Sequence, residues 1–321
     1  MKCKAFYAIL AIAIISVIVG ISAIIKIHQK KTTTIKVGYL PSIGAAPHFI
    51  SKNESLYEKA GLEIEATEFQ SSNQIYDAVA QGKIDITPDI SSVPILINHI
   101  TDPGKVKIFT TQIQNIDKPF DQIIVTQSSP IQSIENLAGK KIGVFPGSTA
   151  TAYIKDYLAA RNKVDISKTE FVQISPPSQL QALEAGSIDA LYAYEPTLSA
   201  ALVEINARPI GLPIQPSYIE ENPNGVGIVS SKFLQANPNL AKKIIEVYDQ
   251  TYDFLNDHDA ETRQILIKEL KLNPEVAQKV SFSYHSKSNE IDKDTYKKLV
   301  DLFISFGEIK SRPDLSILFY K

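Results

Sequence analysis

The sequence contains one cysteine, Cys3, and no tryptophan among its 321 residues. Because Cys3 lies at the start of the chain, the rest has no disulfide and no thiolate metal site. The five histidines show neither HExxH spacing nor another paired metal-ligand arrangement, and the chain has no Walker phosphate loop and no GxSxG nucleophile elbow. The sequence therefore predicts no catalytic residues, no metal site and no cofactor.

Basic side chains are scarce in most of the chain. Residues 1–31 hold five lysines and no acid, so residues 32–321 carry 28 basic and 35 acidic side chains, a formal charge of −7. This excess of negative charge repels a phosphate backbone, and we predict no nucleic-acid partner. The length of 321 residues and the hydrophobic content of 44% fit an ordinary globular chain of about two domains.

The longest apolar run covers residues 5–25 and contains no charged side chain. It follows two lysines, which is typical of an export signal or a membrane anchor. The small-residue cleavage site near Ala23 has the bulky Ile21 at its −3 position, and a run of this length suffices to span a bilayer. We interpret residues 1–31 as a signal or anchor, favour the uncleaved anchor, and place the rest of the chain in the periplasm or on the extracytoplasmic face of the cytoplasmic membrane.

Residues 140–157 change their hydrophobic period in the middle. Residues 141–145 are apolar and partly β-branched, which predicts a strand, and from Ser148 onward apolar residues recur at helical spacing. Pro146 and Gly147 predict a turn, with Ser148 as the N-cap of the helix. The start of such a helix presents unpaired N–H groups and a partial positive charge, so this stretch is a candidate seat for an anionic or polar group. A simple capped turn is the alternative.

Two segments of the sequence recur at a nearly constant offset. KVGYLPS at 36–42 resembles KIGVFPG at 141–147, 105 residues later, and AVAQGKIDI at 78–86 resembles ALEAGSIDA at 182–190, 104 residues later. This period is too long for a solenoid repeat and predicts two similar α/β lobes. The aspartate that recurs in the second pair follows a glycine turn, and we interpret it as structural.

The order of the predicted strands and helices gives the domain boundaries. Strands and helices alternate in residues 35–115 and again in residues 121–212, which indicates a parallel sheet with right-handed crossovers in each lobe. Two proline-containing segments, residues 116–120 and 213–223, flank the second lobe and are interpreted as hinge crossings. Residues 224–321, a strand followed by helices, are expected to return to the first lobe. Ligands of such sheets bind beyond the carboxyl ends of the strands, here in a cleft between the lobes.

Six phrases of the sequence together resemble a known family. They are VGYLPS, GLEIEATEFQSSNQ, AVAQGKIDI, SIENLAGKKIGVFPGSTA, ALEAGSIDALYAYEP and SSKFLQANP. The chain resembles the solute-binding proteins of ABC importers for sulfonates, taurine, nitrate and related compounds, which share their domain with thiamine-pyrimidine synthases. The resemblance implies an α/β, two-lobed periplasmic-binding-protein fold of type II, the venus flytrap, with a ligand cleft between the lobes. It also implies a monomer that captures a small polar or anionic solute, sulfonate-like, taurine-like or aminopyrimidine-like, and delivers it to an ABC permease in the membrane.

The resemblance also assigns candidate ligand-binding residues, position by position. They are Ser42, His48, Phe69, Asn73, Asp89, Ser91, Gly147, Ser148, Thr149, Tyr194 and Glu195. Simpler interpretations remain open: His48 is also compatible with a helix cap or a packed side chain, Tyr194 with a core residue, and Glu195 with an acid that faces water at a strand end. The family commonly has tryptophan where this chain has Tyr194, so the ligand class stays open.

Two other functions fit the same fold. One is an enzyme related to the thiamine-pyrimidine synthases, although the fungal members carry a cysteine-rich iron motif that a chain with Cys3 alone cannot supply. The other is a sensory binding module that does not serve transport. In all three cases the cleft offers N–H donors at Gly147 and acceptors at Glu195 and Asp89. We therefore expect a ligand of both characters, such as an amino-sulfonate or an aminopyrimidine, rather than a bare inorganic anion like nitrate.

Overall fold

The computed structural model describes residues 34–321, so the predicted signal or anchor, residues 1–31, lies outside the described residues. The strands are β1 Ile35–Tyr39, β2 Ile64–Glu68, β3 Ile86–Ser91, β4 Val106–Gln114, β5 Asp121–Thr126, β6 Lys141–Val144, β7 Glu170–Gln173, β8 Ala190–Tyr194, β9 Ala207–Ile210, β10 Asn222–Ser230 and β11 Tyr284–His285. The α-helices are α1 Ala46–Asn53, α2 Leu56–Lys59, α3 Ser72–Gln81, α4 Ser92–Thr101, α5 Ser148–Asp156, α6 Pro176–Glu184, α7 Thr197–Glu204, α8 Ile214–Tyr218, α9 Ser231–Ala236, α10 Pro238–Asp257, α11 Asp259–Leu270, α12 Pro274–Lys279 and α13 Lys293–Ser305. From residue 34 onward, no helix combines the length and the apolar character needed to cross a bilayer.

The first sheet contains the strands in the order β11-β4-β10-β3-β1-β2. Strand β1 runs parallel to both β2 and β3, as the alternation of strands and helices predicts. Each intervening helix returns the chain to the end of the sheet at which the previous strand began. Strand β10 is antiparallel to its neighbours β3 and β4. The prediction of a parallel sheet is therefore wrong for half of the strands: the sheet is mixed, and its antiparallel half comes from distant parts of the chain.

The second sheet repeats this arrangement with the order β7-β6-β8-β5-β9. Strand β6 is parallel to β7 and β8, whereas β5 is antiparallel to β8 and β9. The chain passes between the sheets after β4 and again after β9. The first passage leads to β5, which lies next to β8, and the second leads to β10, which lies next to β3. The second passage contains α8. The hinge role of residues 116–120 and 213–223 stays a prediction.

The recurring aspartate makes the same kind of hydrogen bond in both lobes. The Oδ2 atom of Asp85, just before β3, accepts a hydrogen bond from the backbone N–H of Lys36 at 2.9 Å. The Oδ2 atom of Asp189, just before β8, accepts one from the backbone N–H of Lys141 at 2.8 Å. Each carboxylate thus ties the start of one strand to its parallel neighbour, and the structural interpretation of this aspartate is confirmed.

The C-terminal segment is more varied than the sequence suggests. Helix α10 packs on the first lobe as expected, with Tyr248 buried in one cluster with Ile35 of β1. The expectation of helices alone is wrong, because β11 pairs with the edge strand β4. Helix α12 also packs on α7, which follows β8, and the ring centroid of Phe303 in α13 lies 5.1 Å from that of Tyr153 in α5. The C-terminal helices therefore contact both lobes. Helical periodicity identifies an apolar face but not the element it packs against.

Candidate functional site

A cavity of about 570 Å³ lies between the two sheets. Its wall includes Ser91, the last residue of β3, Phe145, which follows β6, and Tyr194, the last residue of β8. These positions are carboxyl ends of strands, where ligands bind in open α/β sheets. The cavity is large enough for a small organic molecule.

Most of the predicted site residues line this cavity. They are Ser42, Asn73, Asp89, Ser91, Gly147, Ser148, Thr149, Tyr194 and Glu195. The structure places the other two predicted residues elsewhere. Phe69 packs against the core, with its ring next to Gly38 of β1.

His48 is buried within α1 and does not line the cavity. Its ring stacks on Tyr39 with centroids 5.1 Å apart, and its Nδ1 atom is 3.1 Å from the hydroxyl of Tyr57. Burial, and secondarily the charge of Lys52, lowers the pKa of His48 to about 4, so the ring is neutral at physiological pH. The interpretation of His48 as a packed side chain is the one the structure supports.

The turn after β6 faces the cavity from the second lobe. Gly147 has a φ of 117°, which glycine adopts without strain, and its N–H donates to the side-chain oxygen of Gln173 at 3.2 Å. The helix begins at Ser148, so Gly147, not Ser148, occupies the N-cap position, and no side chain caps the helix. The prediction of Ser148 as N-cap is therefore wrong. Without a side-chain cap, the first-turn N–H groups of this helix are available to an acceptor, and Ser148 and Thr149 of that turn line the cavity.

Three aromatic rings form one wall of the cavity. The ring centroid of Tyr194 lies 6.1 Å from that of Phe120 and 5.8 Å from that of Phe145, which stands edge-on to it. The Tyr194 hydroxyl accepts a hydrogen bond from Gln215 at 3.1 Å. Phe145 is 38% exposed. Such a wall offers apolar faces to a ring or chain of a solute.

Glu195 follows β8, and its carboxylate is occupied by protein donors. Its Oε2 atom accepts from the backbone N–H of Ser199 at 3.2 Å, and its Oε1 atom accepts from the Ser199 hydroxyl at 2.8 Å and from the backbone N–H of Ser281 at 3.3 Å. Glu195 is buried, so the alternative of an acid facing water is wrong. Burial raises its pKa to about 7 against the opposing effect of these hydrogen bonds.

Asp89 lies opposite, in β3, between two glycines. Its carboxylate fills the space in which Gly44 and Gly225 would carry a Cβ atom, so any larger residue at either position would displace it. The Oδ1 atom is buried, and no donor in residues 34–321 bonds to it. Burial alone raises the pKa of Asp89 to about 7.

Several amide side chains of the cavity wall were not predicted. They are Asn98 of α4, Gln112 of β4, Gln215 of α8, and Asn222 and Asn224 of β10. Gln112 had a usable signal, because it belongs to a run of polar residues, Thr110–Gln112, in a strand that begins with mostly apolar residues. Gln215 and Asn222 had none, because residues 213–223 were interpreted only as a crossing.

The cavity carries an uneven set of charges. Among the lining residues of the described chain there is no lysine, arginine or histidine, whereas Asp77, Asp89 and Glu195 are acids. No cluster of three or more metal-ligating side chains is present between residues 34 and 321.

Two sheets with the same central strand order, linked by two passages and separated by a cavity with polar and aromatic walls, define a two-lobed fold. A model of the NMT1-like family matches residues 28–271, and the protein belongs to this family. This confirms the resemblance inferred from the sequence motifs.

The chain is similar to known binding proteins. It is 24% identical over 234 residues, 72% of this chain and 68% of the other, to a protein of Bacillus subtilis (strain 168) named as an aliphatic sulfonates-binding protein. Its structure is similar to that of the periplasmic aliphatic sulphonate binding protein SsuA from Escherichia coli, with a TM-score of 0.73, 16% identity, and 90% of this chain and 92% of that chain covered. It is also similar to the desulfurization enzyme DSZB, with a TM-score of 0.66, 16% identity, and 89% and 96% covered. These structures confirm the predicted two-lobed periplasmic-binding-protein fold.

Proposed function

We propose that the protein is an extracytoplasmic solute-binding protein that captures a small polar compound in the cavity between its lobes. A monomer delivers the compound to the permease of an ABC importer and does not transform it. The observation that carries the proposal is the placement of the cavity, whose wall combines side chains of both sheets. A solute that contacts both lobes favours the closed arrangement over the open one by those additional contacts.

The names of the relatives support this function. The Bacillus subtilis protein and the Escherichia coli structure are both named as sulfonate-binding, and the latter as periplasmic. A location outside the cytoplasm also agrees with the apolar, uncharged run of residues 5–25.

The similarity to DSZB keeps an enzyme as the second candidate. The chemistry of the cavity wall favours binding. The Ser92 hydroxyl donates to the backbone carbonyl of Pro223 at 2.5 Å and is not paired with a base, and the Glu195 carboxylate is held by Ser199 and Ser281. Neither residue has the nucleophile–base arrangement that covalent catalysis requires.

Two measurements test the proposal. Mass spectrometry of small molecules released from the purified protein identifies the solute, and incubation with that solute shows whether it is converted. Spin labels at Gln70→Cys and Ser178→Cys, in a Cys3→Ser background, lie just after β2 and at the start of α6, one in each lobe. We expect the label distance to shorten when the solute is added and the solute to be recovered unchanged.

The alternatives to the proposed function predict different results in these measurements. A chemically altered product establishes the enzyme. A solute that closes the lobes but does not stimulate ATP hydrolysis by any co-reconstituted ABC importer of the same cell points to the sensory module. If the solute binds without any change in distance, residues 116–120 and 213–223 do not act as hinges.

A further inference from the structure

Four buried or half-buried carboxylates differ in how their oxygens are satisfied. The Oδ2 atom of Asp121 in β5 accepts from the Tyr192 hydroxyl at 2.7 Å and from two backbone N–H groups of α8, whereas its Oδ1 atom has no donor in the described residues. Asp249 of α10 accepts from the backbone N–H and the hydroxyl of Ser288, at 2.8 and 2.7 Å. Glu195 is likewise held by protein donors. Within residues 34–321, the carboxylate of Asp89 has no such donor.

A buried carboxylate oxygen without a hydrogen-bond donor, such as Oδ1 of Asp89, is unfavourable and requires an explanation. Asp89 is not forced into its place by crowding, since Gly44 and Gly225 leave room for it. A Cβ atom at Gly225 would overlap both the Oδ1 atom of Asp89 and the side-chain oxygen of Gln112. The two side chains thus meet over the same glycine, at the cavity wall. A donor group that enters the cavity at this point reaches both of them.

The rest of the wall, within the described residues, offers Asp89 no cationic partner. No basic side chain lines the cavity in the described part of the chain, and the other charged groups there, Asp77 and Glu195, are acids. A solute that is only an anion would be repelled by these acids and would find no cationic partner. The helix start at Ser148 offers N–H groups to an acceptor, but these lie on the second lobe.

We propose that Asp89 determines the specificity of the cleft, and that the solute carries a nitrogen donor group, a protonated amine or amidine, which binds Asp89 and Gln112. The apolar part of the solute packs against the wall of Phe120, Phe145 and Tyr194. The inference rests on the proposed solute-binding function and names the chemical class of its ligand.

The ionisation of Asp89 makes the proposed binding of a cation depend on pH. Its pKa of about 7 in the free protein falls when a cation binds, so binding releases a proton below pH 7. Affinity for a cation should therefore rise by up to about tenfold per pH unit on approach to pH 7 and level off above it. The other titratable groups that line the cavity are Asp77, Tyr153, Tyr194 and Glu195, and Tyr252 of α10 lies close enough to Asp89 for their charges to interact. Of these, Glu195 also titrates near pH 7, so Asp89 variants are needed to assign the effect.

Three probes of one shape test the inference: benzamidinium, benzamide and benzoate, which differ in charge but not in outline. Calorimetric titration at pH 6 and pH 8 compares the wild type with Asp89→Asn. Asp249→Asn is the control, because this half-buried acid lies outside the cavity and its carboxylate has protein donors. We expect the wild type and the control to prefer benzamidinium over benzoate, more strongly at pH 8. Asp89→Asn should lose roughly tenfold to a hundredfold in benzamidinium affinity, the range of a hydrogen bond to a charged group.

Several results overturn the inference and leave the proposed function intact. They are a preference for benzoate, equal benzamidinium binding by the wild type and Asp89→Asn, or a co-purified solute without a nitrogen donor that closes the lobes. If none of the probes binds, the comparison is made with the co-purified solute and decides in the same way. If no small molecule binds or co-purifies at all, the solute-binding function itself fails.

Discussion

Replacing Asp89 by asparagine should stabilise the ligand-free protein, although the residue lies in the proposed binding site. The substitution keeps the shape of the side chain and removes a carboxylate that has no protein donor in the described residues. Sites that hold an unsatisfied group for a ligand commonly sacrifice stability for function. The expected gain therefore separates a residue kept for binding from one kept for the fold.

The magnitude follows from the pKa of Asp89. A value of about 7 in the folded protein, against an ordinary value of 3.8, corresponds at about 1.4 kcal/mol per pKa unit to about 4 kcal/mol when the group is ionised. Because the carboxylate borders the cavity and water reaches that space, we expect only a part of this, about 1–2 kcal/mol. Because the pKa of Asp89 is raised on folding, the protonated side chain contributes fully to the stability of the wild type below pH 3.8, and this contribution is lost as the pH rises through 7.

The assay is urea denaturation of ligand-free wild type and Asp89→Asn at pH 4.5 and pH 8. We expect the variant to be more stable at pH 8 and the difference to be much smaller at pH 4.5, where Asp89 is protonated in the folded protein and the pH is close to the ordinary value of 3.8. Asp249→Asn provides the opposite case. It places an amide against the donors of Ser288, and should lose about 1–3 kcal/mol at pH 8. If Asp89→Asn is no more stable than the wild type at pH 8, Asp89 is satisfied in the ligand-free protein and the reasoning is wrong.

Three further predictions concern the cleft and its location. Gly225→Ala should displace Asp89 and Gln112 and weaken solute binding at least tenfold, with little loss of stability. Gly227→Ala, on the same strand, would place its methyl group against the buried ring of Phe109 and should destabilise the protein by about 1–3 kcal/mol. Calorimetry measures the binding of both variants, and denaturation measures their stability. Thr149→Asp places a carboxylate in the first turn of α5 and should weaken a solute whose anionic group binds there by roughly tenfold, while unchanged affinity for such a solute would remove the helix start from the site. An alkaline phosphatase fused after Lys321 should be active, because the reporter forms its disulfides only outside the cytoplasm, and an inactive but well-expressed fusion would contradict the proposed location.

Local patterns predicted the parallel half of each sheet. Strands β1 and β6 were recognisable from short β-branched runs bounded by turns, and the repeated glycine and aspartate placed β3 and β8 beside them. The hydrogen bonds of Asp85 and Asp189 link residues about 50 positions apart, yet they recur because the same local turn precedes each strand. Because the pattern occurs twice in one sequence, each copy supports the structural interpretation of the other.

The antiparallel half and much of the site depend on contacts between distant segments. Strand β10 lies between β3 and β4, but its sequence does not encode that position. His48 was predicted as a ligand because the family resemblance places it in a ligand-binding loop, and only the packing of Tyr39 and Tyr57 around it shows that its ring is enclosed. The donors that hold Glu195 include Ser281, 86 residues away along the chain. Spacing alone cannot reveal such a partner.

The repeat also separates structural residues from those of the binding site. At the offset of 104 residues, Asp85 corresponds to Asp189, and both make the same backbone hydrogen bond. The same offset pairs Asp89 with Ala193, which is fully buried in β8. The fold of the second lobe forms with a methyl group at this position, so the lobe architecture does not require a carboxylate there. Asp89 therefore departs from the repeat at a cavity-facing position, as expected of a residue that serves the proposed solute rather than the fold.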